Sequence, residues 1–512
     1  MGWPSPLSLG LQQQTRRVPD ATVVTLSNAG LGKTGTGGVD VPDLCASARS
    51  PGTVTIKPSA TTRRRDVIPL GEATRAWFGI SLQTFGGPAG QIAVMQHTLV
   101  DEKRWIGQRR FLHALNYCML LPGPEAQQLA IYTGWLLNGT LGGLIAGVLF
   151  VLPGMIALLG LTILYLAAGD TTLVIGLFAG LAPAVIAIVV QAVYRVGSRA
   201  LGHQVLVALA VVAFLALAVF GVPFPIVILT AGATGWVASR WVPALRTLRA
   251  HGADDGPEPL ISDDALHATR PSLRRSLGVL ALGLLVWFTP VLLAAVALGR
   301  DSVYVDQGLF FSWTAVITFG GAYAVLAYVA QQAVEVYHWL APGEMVHGLA
   351  LAESTPGPLI MVTQWTAGVG AYRDPGSLDP WGGMLVGSLL TTWVTFVPCF
   401  LFIFLGAPYV ERLRHNTHLT AALAGVTAAV VGVIASLAVY FSLHTLFDDT
   451  TAVDSGPFHL EVPVWSSWDP LAFALTGVAL ALLFWRSWTP LRTLGACAAL
   501  GLAATLIDTL LA

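Results

Sequence analysis

Apolar residues run almost unbroken through nine stretches, at about 141–168, 172–193, 201–221, 224–243, 277–298, 381–405, 419–443, 469–485 and 491–511. A hydrocarbon core of roughly 30 Å takes about 20 such residues, so each stretch predicts a membrane-spanning helix. Four further apolar stretches, 76–100, 111–137, 309–331 and 346–372, are interrupted by Gly and Pro. Proline lacks an N–H and glycine admits unusual backbone angles, so these segments read as broken, re-entrant hairpins. Residues 1–70 are different in kind, rich in Ser, Thr, Gly and Pro with no sustained apolar period, and read as a disordered cytoplasmic tail. The mixed, polar stretch 244–276 reads as a cytoplasmic linker before the connecting span 277–298.

Composition sharpens this picture. Of 512 residues 54% are hydrophobic and only 11% charged, against roughly 25% charged in a soluble domain. A nucleic-acid binder needs a basic surface for phosphates, and 27 Lys and Arg against 28 Asp and Glu supply none. Cys45, Cys118, Cys399 and Cys497 show no Cys-x-x-Cys spacing and read as small packing residues rather than metal or disulfide partners. No apolar run follows Arg16-Arg17, so the tail does not read as a signal peptide. Gly32-Lys33-Thr34 resembles the end of a phosphate-binding loop, but the preceding glycine is Ser27 and no helix pattern follows.

The broken segments repeat. Thr84-Phe85-Gly86-Gly87 recurs 234 positions on as Thr318-Phe319-Gly320-Gly321. The same step takes Trp105 to Trp339, His113 to His347 and Pro122-Gly123-Pro124 to Pro356-Gly357-Pro358, without a gap. The chain therefore divides into two related halves, 76–243 and 309–512. Short cytoplasmic loops are enriched in Lys and Arg. In the first half the loop after the Phe-Gly-Gly segment holds Lys103, Arg104, Arg109 and Arg110, whereas its counterpart Gln331 to Glu344 holds none. Equivalent loops thus face opposite sides, the signature of an inverted repeat. Arg195, Arg199, Arg412 and Arg414 then fall inside, and the acidic loop with Asp448, Asp449, Asp454, Glu461 and Asp469 falls outside. The expected fold is an all-α polytopic membrane protein of two inverted repeats, each with two broken hairpins and about four full spans, joined by one extra span. The alternative, with every broken segment crossing fully, places four basic residues outside.

Helix starts expose N–H groups and a partial positive charge, so they bind anions without a formal cation. No Lys or Arg occurs between Arg110 and Arg195 or between Arg300 and Arg373. An anion site would rest on amides, hydroxyls and helix ends, helped by arginines at the mouth. The candidates are Gly86, Gly87, Gly123, Gly320, Gly321 and Gly357, with Gln91, Asn116, Gln127, Gln128, Ser354 and Thr355 as neutral hydrogen-bonding groups. The competing reading is that the motifs only kink helices and the polar residues join them. Glu125 is the sole charge from Phe111 to Gly169, and Glu353 precedes Ser354-Thr355-Pro356. Ionisable groups at depth are functional candidates, so both are candidate proton carriers, or else carboxylates favoured by a helix start. His113 and His347 recur as a pair, and histidine is the side chain whose ordinary titration lies near neutral pH, so both are further proton-coupling candidates, or caps for buried carbonyls.

With Phe85-Gly86-Gly87-Pro88-Ala89-Gly90-Gln91, and Phe111-Leu-His113-Ala-Leu-Asn116 leading to Pro122-Gly123-Pro124-Glu125-Ala-Gln127-Gln128, the sequence resembles the chromate ion transporter family in its long, two-domain form. Ser354-Thr355-Pro356-Gly357-Pro358 is similar to that family's second-half counterpart. The resemblance spans about 76–512. It implies a secondary transporter of the bacterial inner membrane that exports chromate on the proton-motive force and confers resistance, without a cofactor. Its partners would be chromate or a similar oxyanion and the lipid bilayer, with a homodimer left open and no nucleic acid. Sulfate is the alternative substrate, since charge and shape nearly coincide. A membrane-embedded reductase would need a redox centre, and neither clustered Cys and His nor a dinucleotide fingerprint is present. Gln91 faces Val325 and Glu125 faces Leu359 across the repeat, so the site should be asymmetric.

Overall fold

In lipid the backbone must satisfy its own hydrogen bonds, and the long apolar runs do so as helices. A computed structural model describes residues 68–242, 259–261, 272–319, 321–407, 417–456 and 458–511. The expected tail up to residue 67, all but a few residues of the linker, and Gly320, Arg412 and Arg414 lie outside the described residues. The end of the stretch assigned to the tail is instead built into the fold, with Ile68 buried and Leu70 opening the first helix. The first half contains α1 (Leu70–Ser81), α2 (Gly87–Gln96), α3 (Gln108–Cys118), α4 (Glu125–Ala168), α5 (Thr172–Ala200), α6 (Gln204–Ala218) and α7 (Phe224–Ala238). After α8 (Leu273–Ala297) come α9 (Val303–Ile317), α10 (Ala322–Gln331), α11 (Met345–Ser354), α12 (Val362–Arg373), α13 (Pro380–Gly406), α14 (Thr417–Leu446), α15 (Pro470–Phe484) and α16 (Pro490–Leu511). The protein is an all-α polytopic membrane protein. Among the described residues six helices, α4, α5, α8, α13, α14 and α16, are long and apolar enough to cross a membrane. The other three expected spans are α6, α7 and α15, of 15 residues each, which rise only about 22 Å.

The predicted breaks are real interruptions. Helix α1 stops at Ser81, and α2 starts behind Gly86 and Gly87, whose φ angles of 78° and 73° lie in the left-handed region. Helix α4 loses helical geometry at Asn138 (φ −131°) and Gly139 (φ 63°), where the Asn138 amide donates to Ile68 O at 2.7 Å. The equivalent place in the second half is the end of α12 at Arg373.

The step of 234 positions holds for backbone detail. Arg104 and His338 both adopt positive φ, 51° and 54°, a costly conformation for non-glycine residues. Each leads into an anchored tryptophan: Trp105 N donates to Leu99 O at 2.9 Å and Trp339 N to Ala333 O at 2.7 Å. A π-helical turn precedes each, at His97–Glu102 and Gln332–Val336. Beyond the α12–α13 loop the step grows to 245, taking Pro153 to Pro398 and α5 to α14.

Two reciprocal seams were not foreseen from sequence. Gly123 N donates to Thr318 O at 2.8 Å and Gly357 N donates to Thr84 O at 2.9 Å, so each Pro-Gly-Pro turn is held by the other half's Thr-Phe-Gly strip. The later helices are exchanged as well. Helix α5 packs on α16 where a Cβ on Gly501 would lie 2.6 Å from Gly180 Cα, and α7 packs on α14 where a Cβ on Gly425 would lie 3.0 Å from Gly235 Cα. Small residues let helices in lipid approach this closely. An antiparallel hairpin, β1 (Thr450–Ser455) with β2 (Phe458–Pro463), fills the acidic loop between α14 and α15. Its signal was the turn glycine Gly456, φ 60°, between alternating residues.

Candidate functional site

Helix starts α2, α4 and α10 converge on one cavity of about 650 Å³. Their caps are Gly86, Pro124 and Gly321, none of which supplies a side-chain hydrogen bond. The first-turn N–H groups are therefore left with their partial positive charge at the cavity wall. Gly321 has φ 105°, a conformation that a side chain would strain. The two halves meet here: a Cβ on Gly87 would lie 3.9 Å from the Tyr323 hydroxyl.

Among the expected residues, Gly86, Gly87, His113, Asn116, Glu125, Gly321 and Glu353 line this cavity. The Tyr323 hydroxyl donates a hydrogen bond to Glu353 Oε1. Glu353 is 2% exposed, and its Oε2 has no hydrogen-bond partner among the described residues. A buried carboxylate oxygen left without a donor is costly unless it takes a proton or meets a ligand.

Other expected residues hold the frame. Gln91 donates to Gly357 O and Gln128 to Pro122 O, so both brace the Pro-Gly-Pro turns. Gly123 and Gly357 form the reciprocal seam, with φ of 114° and 109°. Ser354 and Thr355 spend their hydroxyls on Leu351 O and Ala352 O of their own helix. Gln127 is fully buried, and neither end of its amide has a partner among the described residues. His347 lies on a second cavity, described below. Cys118, Cys399 and Cys497 are buried free thiols.

Sequence reasoning left the arginines at the mouth, whereas Arg110, Arg195 and Arg199 line the cavity together with Gln191 and Tyr323. Arg195 Nη2 donates to Gln191 Oε1 at 3.0 Å. Gln191, Arg195 and Arg199 follow one another at steps of four, a helix-face spacing that could have pointed to them. Tyr323 carried no local signal, because its partner Glu353 belongs to a different helix.

The second cavity, also about 650 Å³, holds Tyr165, Glu344, His347 and Arg373. Arg373 grips Glu344 with both ends of its fork, at 2.7 and 2.8 Å, while the Tyr165 hydroxyl donates to Glu344 Oε1 at 2.6 Å and Ala341 N to Oε2 at 2.9 Å. Burial opposes the charge on Glu344, but these donors outweigh it and hold the carboxyl below its ordinary range.

The sequence pattern that defines the family described as "Chromate transporter" matches residues 71–236 and again 305–502. The chain belongs to the chromate transporter family. The chromate transport protein of Pseudomonas aeruginosa is 33% identical over 358 residues, 69% of this chain and 76% of that one. The chromate transport protein of Cupriavidus metallidurans is 28% identical over 440 residues, covering 82% and 89%. A probable chromate transport protein of Synechococcus elongatus is 24% identical over 427 residues, covering 81% and 96%. No solved structure matches this chain. Membership identifies a membrane transporter rather than an enzyme, in the family's long, two-domain form, and both matched segments contain their half's Gly-Pro breaks.

Proposed function

We propose that this protein exports chromate across the bacterial inner membrane by alternating access, driven by the proton-motive force, and so confers chromate resistance. The observation that carries the reading is the meeting of three uncapped helix starts with Arg110, Arg195 and Arg199 at one cavity. That surface suits a small dianion, because amide dipoles bind an oxyanion and the arginines lining the cavity draw it in. The names of the relatives supply the ion. The arginines give this cavity a cytoplasmic address by the charge rule, and the inverted arrangement of the halves gives the second cavity the opposite one.

Glu353 is the foremost proton carrier, since it is a buried carboxylate with one oxygen free of partners beside the anion surface. Glu125 and His113 line the same cavity and stand behind it. In inverted vesicles, chromate uptake should saturate and should collapse when a protonophore dissipates the gradient. Glu353→Gln keeps an acceptor for the Tyr323 hydroxyl and should retain folding while losing the dependence of uptake on the pH gradient. Unaltered gradient dependence in that variant removes Glu353 from the role and passes the test to Glu125→Gln. Sulfate is the second reading, and stronger inhibition of uptake by sulfate than by unlabelled chromate would favour it.

A further inference from the structure

The two cavities are built from equivalent parts of opposite halves. His113 and Arg110 line the first, and the positions 234 further on, His347 and Glu344, line the second. Thr420, Leu423, Ala424 and Thr427 of α14 wall the first, while Ile175, Phe178, Ala179 and Ala182 of α5, 245 positions earlier, wall the second. Their charges are opposed. The first cavity sets Arg110, Arg195 and Arg199 against Glu125 and Glu353. The second sets Arg373 alone against Asp170, Glu344 and Asp469.

Arg373 is placed to meet an anion, since its side chain is 43% exposed while Glu344 is 6% exposed. Its fork is already filled by a carboxylate that Tyr165 and the Ala341 amide fix from behind. A bidentate guanidinium–carboxylate pair uses the geometry that would otherwise receive an oxyanion. His347 Nδ1, with no hydrogen-bond partner among the described residues, is a further polar atom on this cavity. We propose that the second cavity is the oxyanion's release station, in which Arg373 receives the anion and Glu344 is a built-in competitor that displaces it. Weak binding at the exit keeps exported anion from holding the carrier there, so the reversal of charge at the position equivalent to Arg110 serves release. The inference rests on the export reading above.

The test measures inhibition of export by chromate added on the release side, in inverted vesicles loaded with known internal chromate. Glu344→Gln removes the competing charge, so the internal chromate that halves export should fall about tenfold, while half-saturation from the Arg110 side stays within about twofold. Where the single substitution does not fold, Glu344→Gln with Arg373→Gln removes both charges and avoids an unpaired buried ion. That double variant should need severalfold more internal chromate than the native protein. Internal inhibition equal to the native value in whichever of these variants folds, or an equal change on both faces, overturns the proposal and leaves the pair a structural tie. Absence of saturable uptake by the native protein would instead defeat the export reading itself.

Discussion

Glu344 illustrates how one side chain is fixed by its surroundings. It accepts from Arg373, Tyr165 and Ala341 N, and its folded-state carboxyl is held below the ordinary 4.5. A depressed carboxyl contributes stability that is present in full above the unfolded value and is lost as pH falls through the folded one. Thermal unfolding in detergent should therefore separate native protein from Glu344→Gln at neutral pH, and the gap should close as pH drops below about 4.5. A gap that is unchanged at pH 3 would refute this placement of the charge. Glu344 and Glu353 carry different signals in sequence. Glu353 was legible because it is a charge beside a Gly-Pro break, whereas Glu344 looked like one more loop acid until Arg373 and Tyr165 were brought to it from 29 and 179 residues away.

At the scale of elements, the hairpin breaks were legible because glycine and proline act locally, through backbone angles and a missing donor. Who holds the breaks was not legible. Gly123 and Gly357 are each tied to the opposite half, and their positive φ excludes a side chain without strain. A Cβ on Gly123 would lie 3.1 Å from Cys399 Sγ, and one on Gly357 would lie 3.3 Å from Gly154 Cα. Gly123→Ala and Gly357→Ala should each cost about 1–3 kcal/mol of stability and should reduce transport to a similar extent, because the seams are reciprocal. Thermal unfolding and vesicle uptake of the purified variants check this. A variant with native unfolding and native uptake would mean that its seam does not constrain the turn. Helices α6, α7 and α15 are shorter than the apolar stretches that contain them, because hydropathy marks apolar residues and not where a helix starts and stops.

The whole molecule owes its form to a duplicated pattern folded into itself. Repetition was legible, because two glycine-proline motifs, a tryptophan and a histidine share one step. The exchange of α5 and α14 between halves was not, since it depends on glycine pairs such as Gly180 with Gly501 that are unremarkable in apolar helices. This exchange makes two matching cavities from one design, and under the proposed export they have opposite addresses across the membrane. Accessibility to a membrane-impermeant maleimide tests that claim most directly, in a background with Cys45, Cys118, Cys399 and Cys497 replaced and single cysteines at Asn116, on the first cavity, or Ala341, on the second. Labelling of Asn116→Cys from the cytoplasmic face and of Ala341→Cys from the outer face is the predicted result. Labelling of both from the same face would contradict the inverted, two-cavity account.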